Sequence, residues 1–426
     1  MEIELEAHRT LLVSGPASIT LVKGRVEALG ASMPVRGKVV IRRGRTVPFR
    51  SHEKSVIAVV LGENAEAQEL ADDTIPASWR RRVDEVLALG RPCIVMVIGD
   101  VDCGKTTFCT FLANKALAKA SPIAIIDADI GQADIGSPTT IGLGIVKEPI
   151  MDLFTVKARN AYFVGVTSPS EAADKVIQGL ITLKREATDA GVEFIVINTD
   201  GWIQGDEAKL YKVKIARTLK PSIIIGIQRE TELSPILSAL EAEEMKVYCL
   251  ETSAAVKRRD REERKRLREL GYKKFLRGSR LSFLPISWIK IENTPLGTGR
   301  PLLPEEVQEF ENTLGCGIVY GEETSDTLFL VLKKGEGGGS KISEFKERVG
   351  RRLHLTTQGE EEGLLVSLLD DKKRFLGLGV LVEVNYKKRT LRISTPVKGR
   401  ASVVQFGRVK LNRNGEEIGV SDVVTM

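Results

Sequence analysis

A glycine-rich segment between two apolar segments constrains the fold of this chain more than any other feature. It spans residues 97–108, "VIGDVDCGKTTF", and contains the complete Walker A pattern G-x4-G-K-T at 99–106. An apolar run of strand length precedes it at 93–98, and apolar side chains at helical spacing follow it over 108–116. Glycines in such a loop let backbone N–H groups converge on phosphate oxygens at a helix N-terminus. The segment therefore predicts a strand, a phosphate-binding loop and a helix.

The Walker A pattern also assigns roles to particular side chains. Lys105 is expected to reach the β- and γ-phosphates of a nucleotide, and the Thr106 hydroxyl to hold Mg²⁺. The pattern Asn/Thr-Lys-x-Asp, which recognises guanine, does not follow a later strand, and this disfavours a GTPase switch. The predicted cofactors are a nucleoside triphosphate, namely ATP or else GTP or another NTP, and Mg²⁺. The predicted nucleotide-binding residues are Gly99, Asp100, Val101, Asp102, Cys103, Gly104, Lys105, Thr106 and Thr107.

The apolar pattern divides the chain into three parts. Short alternating segments separated by glycine turns fill the first eighty-odd residues and predict β structure. From about 92 to 255, continuous apolar strands alternate with helical stretches, which favours a parallel sheet covered on both faces. We predict an α/β fold with a central P-loop NTPase domain at 89–280. A small N-terminal β domain with a linking helix (1–88) and a mainly β C-terminal domain (281–426) flank it.

Composition favours a globular protein of a reducing compartment. Apolar residues make up 42% and charged residues 28% of the chain, which excludes a disordered polypeptide. No apolar run is long enough to cross a bilayer, so no membrane partner is expected. Five scattered cysteines disfavour a disulfide framework, and no Cys or His pair has zinc spacing. We expect a cytoplasmic location in a prokaryote and a nuclear location in a eukaryote.

Two carboxylates follow the next apolar strand, in "IAIIDADIGQ" at 123–132. Alternation along an extended strand places Asp127 and Asp129 on one face, at the end of the sheet where α/β proteins bind ligands. One carboxylate could hold Mg²⁺ through water while the other accepts a proton from an attacking hydroxyl. Alternatively, both are ordinary metal-shell carboxylates, as in any ATPase. The predicted metal ligands are thus Thr106, Asp127 and Asp129.

A tryptophan follows another strand end, in "NTDGWIQG" at 198–205. An exposed Trp202 at this position would be a platform on which a nucleobase stacks. The alternative is a tryptophan packed beneath a loop.

A basic stretch follows the α/β region. Residues 257–280 contain 12 Lys or Arg and four acids, whereas the net charge of the whole chain is +6. In a helix, Lys257, Arg261, Arg264 and Arg268 would project from one stripe and could clamp phosphates. A salt-bridged solvent face is the alternative. The surplus of cations favours a polyanionic partner.

Together these residues resemble the polynucleotide 5′-hydroxyl kinases. That family includes the archaeal polyribonucleotide kinases, the kinase-like subunit of the eukaryotic pre-mRNA cleavage factor and the nucleolar ribosomal-RNA-processing kinase. The shared motifs, in the family's order, are "GDVDCGKTT", "DADIGQ", a clasp "TDGW" and an Arg-x-x-x-Arg lid, here Arg264 to Arg268. The resemblance covers about residues 5–280. The family often ends the lid in a Tyr-Phe-Tyr-Gly-like string, where this chain has "YKKFLRG".

The resemblance implies a role for each motif. The implied catalytic residues are Lys105, Asp129, Arg264 and Arg268. Asp129 would act as general base on an RNA 5′-OH, and the two arginines would close over the transferring phosphate. Gly165, Thr167 and Ser168 would contact the RNA backbone, which is a less specific implication of the resemblance. The residues implied in RNA binding are Gln132, Thr167, Ser168, Thr199, Gly201, Trp202 and Arg261.

The expected function is transfer of the γ-phosphate of ATP, or of another NTP, to the 5′-OH of single-stranded RNA. DNA is a second candidate acceptor, and RNA-processing proteins are candidate partners. Two alternatives stay open: a non-catalytic ATP-binding scaffold of an RNA-processing complex, and a small-molecule kinase of nucleoside type. Intact Lys105, Thr106 and Asp129 favour an active enzyme over the scaffold. The arginine-rich stretch has no purpose in a small-molecule kinase.

Overall fold

The computed structural model describes residues 1–119, 122–256, 258–336 and 341–421. The chain divides into two compact units. The first consists of Met1–Tyr162 and Ser168–Arg268, and the second of Phe163–Thr167 and Glu269–Met426. The three-domain division of the sequence, with boundaries after residues 88 and 280, remains a prediction.

The N-terminal part of the first unit consists of two antiparallel sheets. Their orders are β1-β8-β3-β6 and β5-β4-β7-β2-β9. Side chains of β3 and β8 alternate between buried and partly exposed positions, as expected for sheets with one face on a core. The strands are β1 (Glu2–Leu5), β2 (Thr10–Ser14), β3 (Ala17–Lys23), β4 (Val26–Ala28), β5 (Ala31–Ser32), β6 (Lys38–Ile41), β7 (Thr46–Ser51), β8 (Ser55–Leu61) and β9 (Glu66–Leu70).

A helix, α1 (Ala77–Ala88), connects these sheets to the next one. It buries Trp79, Val83 and Val86 on one face. The Trp79 indole N–H donates to the carbonyl of Glu251 at 2.8 Å, and its ring packs edge-on against Phe108 at 5.2 Å. Residues of the N-terminal sheets, of α1 and of the central sheet thus form one hydrophobic core within the first unit.

The central sheet has the order β13-β12-β11-β14-β10-β15-β16. The five neighbouring strands β11, β14, β10, β15 and β16 are parallel to one another, which confirms the predicted P-loop fold. β12 runs antiparallel to β11 and was not predicted from the sequence. The strands are β10 (Cys93–Gly99), β11 (Ile123–Asp127), β12 (Thr140–Val146), β13 (Ala158–Phe163), β14 (Phe194–Asn198), β15 (Ile223–Gln228) and β16 (Val247–Glu251). The helices are α2 (Lys105–Leu117), α3 (Ala173–Asp189), α4 (Gly205–Leu219), α5 (Ser234–Glu241) and α6 (Arg261–Leu276).

The second unit is mainly β, as predicted, but its described residues also include the last part of α6 and two further α-helices. One sheet has the order β17-β25-β24-β23-β26-β18 with β27 paired to β26, and the other has the order β19-β20-β21-β22. The strands are β17 (Arg280–Pro285), β18 (Lys290–Glu292), β19 (Arg300–Pro301), β20 (Ile318–Glu323), β21 (Thr327–Leu332), β22 (Arg352–Thr357), β23 (Leu364–Leu369), β24 (Phe375–Asn385), β25 (Thr390–Thr395), β26 (Val403–Leu411) and β27 (Glu417–Val420). The helices are α7 (Pro304–Leu314) and α8 (Lys341–Val349). None of the helices formed by the described residues combines the length and hydropathy that crossing a bilayer requires.

Candidate active site

The phosphate-binding loop has the backbone geometry that the sequence predicts. Strand β10 ends at Gly99, and α2 begins at Lys105. A Cβ at Gly99 would lie 2.5 Å from the Cys103 Sγ and 2.6 Å from the Ile227 carbonyl oxygen, so only glycine fits there. Gly104 has φ 102°, in the left-handed region that glycine adopts without a steric cost. The loop thus turns sharply and leads directly into the first turn of α2, whose N–H groups are available to an anion.

Lys105 lies under the loop and is buried. Its Nζ donates to the carbonyl oxygens of Gly99 at 3.1 Å and Asp100 at 2.7 Å. Burial alone would lower the pKa of Lys105, but neighbouring groups, Asp129 among them, outweigh burial and raise the pKa. The side chain is therefore a cation, held by the loop beside the position that phosphates are expected to take.

A cavity of about 380 Å³ opens over the loop, within the first unit. Its lining includes Val101 to Thr107, which are seven of the nine predicted nucleotide-binding residues; Gly99 and Asp100 do not line it. The charged side chains of the lining are Arg42, Arg43, Arg45, Lys105, Arg258, Arg259, Arg268, Asp102, Asp129, Asp134 and Glu263. Seven cations against four acids make this cavity attractive to a polyanion such as a triphosphate.

The two predicted carboxylates have different surroundings. Strand β11 ends at Asp127, so Asp129 lies in the following turn, and the prediction that both share one face of an extended strand is wrong. Asp127 is completely buried and does not line the cavity. Its carboxylate accepts from the backbone N–H groups of Asp134 at 2.7 Å and Ile135 at 3.1 Å, and from Asn198 Nδ2 at 3.0 Å. Burial raises the pKa of Asp127 to about 7.

Asp129, in contrast, is half-buried and lines the cavity. One carboxylate oxygen accepts from the backbone N–H of Gln132 at 3.0 Å. Burial raises the pKa of Asp129, although Lys105 opposes the rise. A carboxylate with a raised pKa that faces a cavity is suited to accept a proton.

The oxygen atoms of the cavity fit Mg²⁺. The Thr106 hydroxyl and the Asp129 carboxylate both line it, and Asn198 Nδ2 lies 3.4 Å from the Thr106 Oγ1 and also donates to Asp127. In the described ranges, no group of three or more His, Cys, Asp and Glu side chains could hold a metal by itself. Mg²⁺ commonly binds proteins through one or two side chains together with substrate phosphates, which is what this donor set permits.

The basic stretch is a helix only from Arg261 onward, and Lys257 lies outside the described residues. Arg261 is exposed, and Arg268 lines the cavity. Arg264 points to the phosphate-binding loop, where its Nη1 lies 3.5 Å from the Asp102 carboxylate. Gln132 Nε2 donates to the Arg264 carbonyl at 3.3 Å. The implied lid arginines are thus brought to the loop, but the predicted four-residue stripe does not face the cavity as a whole.

Comparison with known proteins identifies the family. Residues 99–278 match the family model of the mRNA cleavage and polyadenylation factor CLP1 P-loop. A polyribonucleotide 5′-hydroxyl-kinase of Pyrococcus abyssi is 31% identical over 350 residues, which are 82% of this chain and 96% of that protein. A polyribonucleotide 5′-hydroxyl-kinase of Methanocaldococcus jannaschii is 30% identical over 337 residues, 78% and 91% of the two chains. The chain belongs to the polyribonucleotide 5′-hydroxyl-kinase family.

A solved structure supports the same fold. Wild-type Clp1p in complex with Pcf11p has a TM-score of 0.66 to this chain, at 14% identity, and the match covers 96% of this chain and 97% of that one. The resemblance inferred from the sequence motifs is therefore confirmed for the family and for the P-loop fold.

The clasp motif that the family shares lies behind the phosphate-binding loop and does not line the cavity. Thr199 is completely buried, and its hydroxyl donates to the Val97 carbonyl at 2.8 Å, so its side chain is not presented to RNA in this structure. A Cβ at Gly201 would lie 2.5 Å from Val101 Cγ2, which shows that the clasp packs directly on the loop. Trp202 is half-buried against the Tyr211 ring at 5.2 Å and is not the exposed platform that the sequence predicted.

The remaining predicted RNA contacts lie elsewhere. Gly165 and Thr167 belong to the second unit, where the Gly165 carbonyl accepts from the backbone N–H of Arg408 at 2.8 Å. Ser168 belongs to the first unit, shares a hydrogen bond of 2.7 Å with Ser170 and does not line the cavity.

Sequence reasoning missed several charged residues of the cavity. Arg42 and Arg45 lie in the connection between β6 and β7 and pair with Asp134 and Asp152; the distance from Arg42 Nε to Asp152 Oδ2 is 2.6 Å. Arg258 and Arg259 were counted only as part of the basic stretch. The signal for the first pair was the cluster "RRGR" at 42–45, three arginines in a segment otherwise interpreted as a strand and turn.

Proposed function

We propose that this protein transfers the γ-phosphate of ATP to the 5′-hydroxyl of RNA. The observation that carries the proposal is one cavity, lined by the phosphate-binding loop with Lys105, by the carboxylate of Asp129 and by the lid arginine Arg268. Phosphoryl transfer depends on positioning and on charge neutralisation, so it requires a phosphate cradle, an oriented nucleophile and cations. Each requirement has a side chain in this cavity.

The residues divide these tasks. The N–H groups of the loop and of the first turn of α2 bind phosphate oxygens, and Lys105 exchanges its two loop carbonyls for the β- and γ-phosphates. Thr106 would supply an oxygen ligand for Mg²⁺, which would neutralise charge on the phosphates when bound. Arg268 adds a cation beside the phosphate that is transferred.

Asp129 orients the attacking hydroxyl and takes its proton. A 5′-OH is a poor nucleophile, and a carboxylate within hydrogen-bond reach improves it. The raised pKa of Asp129 makes it a stronger base than an ordinary carboxylate. Because Asp127 is sealed behind it by backbone N–H groups, Asp129 is the carboxylate of the pair that is available to a substrate.

The deciding experiment measures transfer of labelled γ-phosphate from ATP to a short single-stranded RNA with a 5′-OH. A 5′-phosphorylated twin of the RNA is the substrate control. Lys105→Ala should abolish transfer, whereas Lys119→Ala, which changes an exposed lysine just beyond α2, should leave it intact. Label on the 5′-OH strand alone, lost in Lys105→Ala, supports the proposal.

Two outcomes would contradict the proposed kinase function and indicate a different one. Retention of ATP without transfer would indicate the non-catalytic scaffold. Transfer to free nucleosides that is insensitive to oligonucleotide length would indicate a small-molecule kinase. Parallel reactions with GTP and with a single-stranded DNA would establish the nucleotide and acceptor preferences.

A further inference from the structure

The phosphate-binding loop carries two acids, Asp100 and Asp102, in a segment that is expected to bind a polyanion. A carboxylate beside a triphosphate is repulsive unless cations compensate it. The Asp102 side chain is only 7% exposed, and its backbone has φ 53°, in the left-handed region. A buried carboxylate requires hydrogen-bond or ionic partners, and its position in a phosphate-binding loop requires a functional explanation.

Both oxygens of the Asp102 carboxylate bind the segment that precedes α6. Oδ1 accepts from Arg259 Nη1 at 3.1 Å, and Oδ2 accepts from the Arg259 backbone N–H at 3.1 Å. Arg264 Nη1 lies farther away, 3.5 Å from Oδ2. Arg259 is therefore held firmly at two points, and Arg264 is held by one long contact.

Arg259 extends the connection to a third segment. Its Nη2 donates to the Gly44 carbonyl at 3.1 Å, and a Cβ at Gly44 would lie 2.9 Å from Leu267 Cδ2 on α6. Burial and the nearby Arg45 lower the pKa of Arg259, while Asp102 raises it. Asp102 is thus the anion that allows this guanidinium to lie in the cavity wall among other arginines.

We propose that Asp102 is a positioning residue that holds residues 258–268, here called the lid segment, over the nucleotide cavity. Arg259 is the anchor of this segment, and Arg264 is the loosely held cation that passes from Asp102 to the phosphate as that phosphate is transferred. The inference rests on the proposed function. It explains why a phosphate-binding loop retains a buried acid: the carboxylate fixes the lid on the same loop that fixes the phosphates.

Asp102→Asn tests the proposal because kcat and the Kd for ATP are expected to respond differently. Because a charge-assisted anchor is lost, kcat for phosphate transfer should fall by about tenfold or more. Because a like charge is removed beside the triphosphate, the Kd for ATP should stay the same or decrease. Asp100→Asn removes the same charge from the same loop, and its kcat should fall less than that of Asp102→Asn. A parallel loss of kcat and ATP affinity in Asp102→Asn would instead assign Asp102 to the shape of the loop and overturn the proposal.

A double-mutant cycle tests the partner. Arg259→Met removes the guanidinium contact to Asp102 from the lid side, so the fall in log kcat of the double variant should be clearly smaller than the sum of the two single falls. Additive effects of the two substitutions would contradict the proposed pair. If Asp102→Asn does not fold, Arg259→Met carries the kcat and Kd measurements in its place.

A readout without nucleotide separates this proposal from the proposed function. The lid segment contains many Lys and Arg residues, so trypsin can nick it, and the fragments can be counted by mass spectrometry. Asp102→Asn should be nicked within 258–268 several-fold faster than the native protein and Asp100→Asn. Equal nicking in all three overturns the proposal. If the native protein transfers no phosphate, the proposed kinase function fails, and the nicking rates still decide whether Asp102 holds the lid segment.

Discussion

The Nζ of Lys212 lies 2.8 Å from the carboxylate of Asp200 in the clasp, and both side chains are buried. Asp200 also accepts from the Tyr211 hydroxyl at 2.9 Å and from the Trp202 backbone N–H at 2.9 Å. Burial lowers the pKa of Lys212, and Asp200 opposes this effect. The Lys212–Asp200 pair therefore stabilises the clasp, which packs on the phosphate-binding loop.

Lys212→Met should lower the free energy of unfolding by about 3–5 kcal/mol, because it leaves the buried Asp200 carboxylate without its cation. The matched control is Lys214→Met on the same helix, where Lys214 and Asp174 form an exposed pair. That substitution should cost less than about 1 kcal/mol. Urea unfolding of the three proteins measures both effects, and equal costs would contradict the role assigned to the buried pair.

Arg268→Ala and Arg264→Ala should lower kcat by at least about a hundredfold, since an arginine beside the transferred phosphate stabilises charge that develops in the transition state. The Kd for ATP should change by less than about threefold, because that charge is not fully present in the bound substrate. Arg266→Ala changes an exposed arginine of the same helix and should behave as the native protein. An equal loss of ATP affinity would show that these arginines hold ground-state nucleotide.

Binding of a single-stranded oligonucleotide should weaken as salt rises. Each cation that neutralises a phosphate contributes about 0.7 to the slope of log K against log salt for single strands. Arg261→Ala removes one exposed candidate contact and should flatten the slope by that amount. Lys54→Ala removes one exposed charge from the turn before β8 and should leave the slope unchanged. A slope that Arg261→Ala does not alter would remove Arg261 from the RNA contacts.

The contribution of Glu292 to the free energy of unfolding should decrease in acid. Burial would raise the pKa of this carboxyl, but hydrogen bonds from Gln405, Lys290 and Lys373 outweigh burial and lower the pKa to about 2. A carboxyl whose pKa is lower in the folded state stabilises the fold above its unfolded pKa and loses this contribution as pH falls through the folded value.

Glu292→Gln should therefore be less stable than the native protein at pH 7, by about 1 kcal/mol after allowance for solvent screening. The difference should shrink between the ordinary pKa of 4.5 and about 2. Urea unfolding at pH 7, 4, 3 and 2 measures the difference. A difference that stays constant over this range would contradict the assigned cause.

Local patterns along the chain were sufficient for the core of the fold. The apolar runs at 93–98, 123–126 and 194–197 are buried in a parallel sheet, and their uninterrupted apolar character indicates this without any tertiary information. The antiparallel strand β12 was missed, because its two glycines, Gly142 and Gly144, weaken a strand pattern. Those glycines are required by close packing: a Cβ at Gly142 would lie 2.4 Å from the Gly136 backbone nitrogen.

The sequence by itself determined the phosphate-binding loop, because its glycines, lysine and threonine act within eight consecutive residues, 99–106. The sequence motifs around Asp129 and in the arginine-rich stretch also pointed to the polynucleotide 5′-hydroxyl kinases. Only the tertiary structure decided that Asp127 is sealed while Asp129 faces the cavity, and that Trp202 packs on Tyr211. It alone placed Arg259 on Asp102, 157 positions apart in the chain. Such contacts depend on how distant segments pack, and local periodicity carries no information about which buried charge finds which partner.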